Sequence, residues 1–221
     1  MTNKVKNQVL KYLYNQKLFG IKYHSDLNIN FYSSCDFALP NSLEELKKSV
    51  TNCYLCDLSK TRKHTLFGYG SQNSKIMFIC DEPSKSEDDL GSFFVGNSGD
   101  MLAKMIEGSL KIKKEEVYTT NLVKCRGTKE ASFQNFESCN CYLLKQIEVI
   151  KPKIIVAVGE RVHDYLLKNS GEFLKNRGKV LSFNSAILVP IFAPLYLLKN
   201  PSLNKDTYLD MLKIKNLYEE S

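Results

Sequence analysis

Four cysteines carry the most suggestive spacing in the chain. Cys53 and Cys56 form a C-x2-C pair in a loop, after a helix and before a basic run, whereas Cys125 and Cys139 lie fourteen residues apart far downstream. Four thiolates can hold a tetrahedral zinc ion or a [4Fe–4S] cluster, and spacing alone does not choose between them. Cys35, Cys80 and Cys141 complete a set of seven. An odd count suits a disulfide framework badly, and a reducing compartment disfavours one. A lone Cys in a helix, such as Cys139 or Cys141, reads first as a packed core residue.

The second candidate is ICDEPSKSEDDLGSFFVGNSG, residues 79–99. An apolar run stops at two acids and a proline, and glycines and adjacent phenylalanines follow. Asp81 and Glu82 suit an acidic surface turn, a phosphate loop, a metal site or the floor of an active site. There is no Gly-Lys-Ser/Thr ending for a phosphate loop, and the acids lack the alternating spacing of a calcium loop. Phe94, taken alone, reads as core; in a Gly-flanked loop beside Phe93 it can also serve as a stacking surface.

The elements around these residues follow from periodicity. KIMFIC (75–80), KIIVAVG (153–159) and AILVPIF (186–192) are continuous apolar runs of the buried parallel-strand type, and EEVYTTNLV contains a fourth strand. Helices are expected near 5–17, after Asn41 or Ser42, over 98–108 up to Gly108, through ASFQNFESCNCYLLKQIEVIKP, over ERVHDYLLKN, and from Ser202 to the end. Strands alternating with helices predict an α/β fold with a parallel sheet covered on both faces, and ligands gather beyond the carboxyl ends of such strands. Asp81–Ser84, Asn121–Lys124, Gly159–Glu160 and Ala193–Leu195 all fall at that edge. No repeat or linker is evident, so residues 1–40 are expected to be a helical or irregular extension and 41–221 one domain.

Composition narrows the class. With 43% hydrophobic and 25% charged residues, the chain is globular and not disordered. No apolar run reaches membrane-spanning length, and the N-terminus does not read as an export signal, so a cytoplasmic location is expected. A net charge of +7 is compatible with a polyanionic partner. Basic residues cluster in SKTRKH (59–64), VKCRGTK (123–129) and LKNRGKV (174–180), which makes Arg62, Lys124, Arg126 and Arg177 candidate phosphate contacts.

The ordered series CYLCDLSKTR, IMFICDEPSKSEDDLGSFFVGNSG, VYTTNLVKCRG, ESCNCYLLKQIEVIKPKIIVAVG and VPIFAPLYLLKNP resembles the family 4 (iron–sulfur) uracil-DNA glycosylases over about residues 42–217. The resemblance implies a three-layer αβα fold with a central four-stranded parallel sheet. It also implies a monomeric enzyme of base excision repair, acting on uracil in single- or double-stranded DNA. A [4Fe–4S] cluster would be held by Cys53, Cys56, Cys125 and Cys139, with zinc as the alternative. Asp81 falls on the family's catalytic acid, one methylene shorter, with Glu82 in a small-residue slot as second candidate, pointing to solvent or taking over the acid's role. Phe94 falls on the aromatic that stacks on uracil, and Asn121 on the residue that reads the pyrimidine edge. Arg177-Gly178 resembles the family's Arg-Gly near the DNA-facing loop.

One position departs from the pattern. Where the family has His-Pro-Ser, the chain has Ala193-Pro194-Leu195. Alanine offers no donor to the uracil O2, and one lost charge-stabilising donor commonly costs about 10²–10³ in rate. The implied alternatives are a slow glycosylase and a catalytically weak or inactive protein of the same fold that binds damaged DNA.

Overall fold

A computed structural model describes residues 39–220. The helix expected near 5–17 lies outside the described residues. A six-stranded sheet runs through the molecule in the order β1-β3-β2-β4-β6-β5. Its strands are β1 (Tyr69–Gly70), β2 (Ile76–Cys80), β3 (Tyr118–Asn121), β4 (Ile154–Val158), β5 (Leu181–Phe183) and β6 (Ala186–Ile191). The four inner strands are mutually parallel, as the apolar runs require, and the two edge strands pair antiparallel to β3 and β6. β2 and β4 are buried along almost their whole length because helices cover both faces.

The helices are α1 (Leu43–Thr51), α2 (Lys85–Leu90), α3 (Gly96–Met105), α4 (Phe133–Ile150), α5 (Glu160–Leu167), α6 (Phe173–Asn176), α7 (Pro194–Lys199) and α8 (Asn204–Glu219). One apolar cluster lies between α1, α4, α5 and the sheet; a second lies on the other face with α3, α7 and α8. Three expected boundaries shift. The helix over 98–108 starts two residues earlier and passes into a π turn, Ile106–Leu110, that runs through Gly108. The last helix begins at Asn204, after a short 3-10 turn, Pro201–Leu203, that takes up Ser202. In α4, Ser132 forms a capping box with Asn135, and Lys151 ends the helix in a left-handed conformation just before Pro152. No helix among the described residues is long and apolar enough to cross a membrane.

Candidate active site and cysteine cluster

Parallel register brings the four inner strands to a common end. Cys80 pairs with Asn121, and Val158 pairs with Ile191. The segments that follow, at Asp81, Leu122, Gly159 and Ala193, therefore emerge along one edge. Gly159 holds φ +100, and a Cβ there would come within 3.1 Å of the Ala193 Cβ, so glycine is what lets β4 turn into α5 beside residue 193.

Asp81 leaves β2 with a carboxylate that is about one-third exposed. Its Oδ1 accepts the Glu82 N–H at 2.8 Å, and its Oδ2 accepts from Arg161 Nη1 at 3.1 Å. Glu82 neither points to solvent nor stands free. Its side chain is buried, Oε1 accepts from Arg126 at 3.1 Å, and Oε2 accepts the Ala131 N–H at 2.6 Å. Burial pushes the Glu82 carboxyl up, with the Ala131 amide opposing.

Phe94 sits in a strained turn. Its φ of +61 is unusual for an aromatic residue and is held by neighbours. The Phe94 N–H donates to Glu87 Oε1 at 3.2 Å, while Oε2 of the same carboxylate accepts the Ser84 N–H, and the Ser84 hydroxyl caps α2. A Cβ on Gly99 would strike the Phe94 backbone at 2.6 Å, so α3 seats here only because residue 99 is glycine. The Phe94 ring packs edge-on against Tyr69 at 5.3 Å and is 7% exposed. A base stacking on it must enter the fold.

Asn121 closes β3 and is buried, yet its Nδ2 has no hydrogen-bond partner among the described residues. Buried amide donors are paired in the great majority of cases. Ala193 precedes Pro194 at the start of α7 in an extended conformation. Neither described histidine stands free at this edge: His64 Nδ1 lies 2.7 Å from the Asp88 carbonyl, and His163 is fully buried between Asp164 and Asn176.

The four spaced cysteines come together. Cys53, Cys56, Cys125 and Cys139 line one narrow hollow of about 10 Å³, with Leu58, Arg62 and Tyr142 among its walls. Among the described residues no three His, Cys, Asp or Glu groups converge tightly enough for a single ion. Four cysteines on one wall are a donor set that either zinc or an iron–sulfur cluster accepts. Burial pushes up the thiols of Cys56 and Cys125, and that of Cys139 to about 12. Holding them as thiolates therefore requires cationic charge. Some is built in: Arg62 Nη1 donates to the Cys125 Sγ at 3.2 Å, and Lys124 lies beside Cys139. Cys141 packs against the core, and Cys80 ends β2 at the site edge.

The candidate DNA contacts divide differently from expectation. Lys124 is buried, donating at 2.6 Å to both the Thr120 hydroxyl and the Asn121 carbonyl, and desolvation lowers it to about 8. Its ammonium is spent on those two oxygens inside the fold, so it offers none to phosphate. Arg62 is engaged with Cys53, Thr51 and Cys125. Arg126 binds Glu82 and the Pro83 carbonyl. Arg177 binds Asp210 and lies over the Phe192 ring at 4.9 Å. Sequence reasoning missed Arg161 and Glu87, which hold Asp81 and Phe94. The only signal was that both flank the segments assigned to the ligand edge.

The chain matches known proteins over most of its length. The family described as Uracil DNA glycosylase superfamily matches residues 67–213. A type-4 uracil-DNA glycosylase of Sulfurisphaera tokodaii is 34% identical over 187 residues, covering 80% of this chain and 85% of the relative. Type-4 uracil-DNA glycosylases of Saccharolobus solfataricus (33% over 185 residues, 79% and 86%) and Archaeoglobus fulgidus (30% over 186 residues, 80% and 93%) are also similar. The chain belongs to the uracil DNA glycosylase superfamily, in its type-4 branch.

Proposed function

We propose that the protein hydrolyses the N-glycosidic bond of uracil in DNA and leaves an abasic site. The observation that carries this reading is the orphaned Asn121 amide at the strand edge that also bears Asp81. Chemistry on a base requires the nucleotide to leave the stack. The flipped base would enter beside Phe94, and Asn121 would pair with an acceptor and a donor on its edge, which distinguishes uracil from cytosine. Positive charge then develops on the sugar and negative charge on the base. Asp81 is the residue to stabilise the first and orient water. Glu82, occupied by Arg126 and Ala131, supports the turn and does not act on substrate.

Cys53, Cys56, Cys125 and Cys139 would hold a [4Fe–4S] cluster, the group that the family implies. Bound there, it supplies cross-linking and charge neutralisation for a loop-rich wall near the DNA side. Arg126, about one-third exposed, is the best placed of the four basic candidates for phosphate.

Ala193 favours a second reading, in which the same site binds uracil-containing DNA with little turnover. Incubation with uracil-bearing single- and double-stranded oligonucleotides, scored for abasic sites, separates the two. Product lost in Asp81→Ala supports the enzyme; no product at high protein concentration defeats it. Product lost only in a folded Glu82→Ala variant moves the acid role to Glu82.

A further inference from the structure

Resting on the reading of Asp81 as the acid beside the sugar, we propose that Arg161 is the positioning residue for that acid. A carboxylate as exposed as Asp81 turns freely unless it is held. Here both oxygens are engaged, Oδ2 by Arg161 Nη1 at 3.1 Å and Oδ1 by the Glu82 N–H at 2.8 Å. Each oxygen keeps a lone pair for water or substrate.

Arg161 is itself fixed. Its Nη2 donates to the Ala131 carbonyl, and its guanidinium lies over the Phe136 ring at 4.9 Å. A planar fork with one arm on a carboxylate and one on a carbonyl is a geometry lysine cannot reproduce. The Ala131 peptide is pinned from the other side, because its N–H donates to Glu82 Oε2 at 2.6 Å. Asp81, Arg161, Ala131 and Glu82 therefore close a circuit that returns to Asp81 through its own peptide bond. Ion pairs between groups this exposed contribute little to stability. What this one contributes is orientation of the reacting carboxylate before substrate arrives.

Arg161→Met keeps an unbranched apolar stem and removes the donors. In single-turnover assays on a uracil-containing oligonucleotide, the rate constant falls about 100-fold, the scale of an ångström-level misplacement. The Kd for the same DNA, read by fluorescence anisotropy, stays unchanged. Adding Arg161→Met to Asp81→Ala brings no further loss of rate. An equal loss in the Asp81→Ala background, or a fall in DNA affinity that matches the fall in rate, overturns the proposal, because Arg161 then acts on the DNA itself. A crystal structure of Arg161→Met gives a readout independent of turnover. The Asp81 carboxylate is expected to spread over several rotamers while the backbone of 80–84 stays in place. One unmoved rotamer overturns the proposal whether or not the protein is active. Wild-type rates in Asp81→Ala alone would instead refute the role given to Asp81, and the rotamer result would still decide whether Arg161 holds it.

Discussion

Replacing Asn121 by leucine should stabilise the protein while removing its function. The Asn121 amide is buried at the end of β3, and its Nδ2 lacks a partner among the described residues. A buried donor left unpaired costs about 1–3 kcal/mol. Leucine has nearly the same size and carries no donor, so Asn121→Leu should recover about 1 kcal/mol or more. For a domain of this length that raises Tm by about 2–4 °C per kcal/mol. The functional side runs the other way. Losing one group that stabilises developing charge costs about 10²–10³ in rate. Thermal melts and single-turnover assays on one preparation test both halves. Free uracil adds a third, since ligand at a hundredfold excess over its Kd stabilises the native state by about 2.7 kcal/mol. That shift is expected in wild type and absent in Asn121→Leu. A variant that melts lower than wild type, or that keeps its rate, would refute the idea that this amide is held unpaired for a base.

Three further outcomes are expected. Ala193→His places an imidazole where the family resemblance implies one, in an extended backbone conformation that suits a residue before proline; the single-turnover rate should rise about 10²–10³-fold, and no gain would mean that other groups already meet the base oxygen. The wild type should purify brown and with iron, and Cys125→Ser and Cys139→Ser without either, whereas zinc in place of iron in the wild type would refute the cluster. Burial raises the Glu87 carboxyl above 4.5, so in the window just above that pH the folded state binds a proton that the unfolded state has lost. Urea melts from about pH 4 to 8 should show wild type losing stability relative to Glu87→Gln as pH rises through that window, then staying level; parallel curves would show that Glu87 does not titrate there.

Much of the frame was legible because it depends on local pattern. The four inner strands are continuous apolar runs, and a buried parallel strand needs nothing else to be visible. The site edge followed, because parallel strands that start together end together. The edge strands were invisible: β1 has two residues and β5 three, too short for alternation to register. The fate of the charged groups was equally hidden. Lysine is exposed by default, and nothing in VKCRG says that Lys124 turns inward onto Thr120 and Asn121. Arg161 meets Asp81 across eighty residues, and such a meeting is set by packing, which a single sequence does not display.

The same contacts bear on what the cysteines do for the acid. Ala131 lies between Cys125 and Cys139 in the chain. Its N–H holds Glu82 and its carbonyl holds Arg161, which in turn holds Asp81. Whatever anchors the two cysteines therefore also limits where this peptide can sit, and a displaced Ala131 releases Arg161 from one of its fixed points. Reacting groups tolerate little misplacement. A metal group with no part in the chemistry would then still govern the rate, through the loop that its ligands bracket. On the proposed reading, structural and catalytic would not be opposed descriptions of the cysteine site: the first would be the means by which the strand edge keeps its carboxylate aimed.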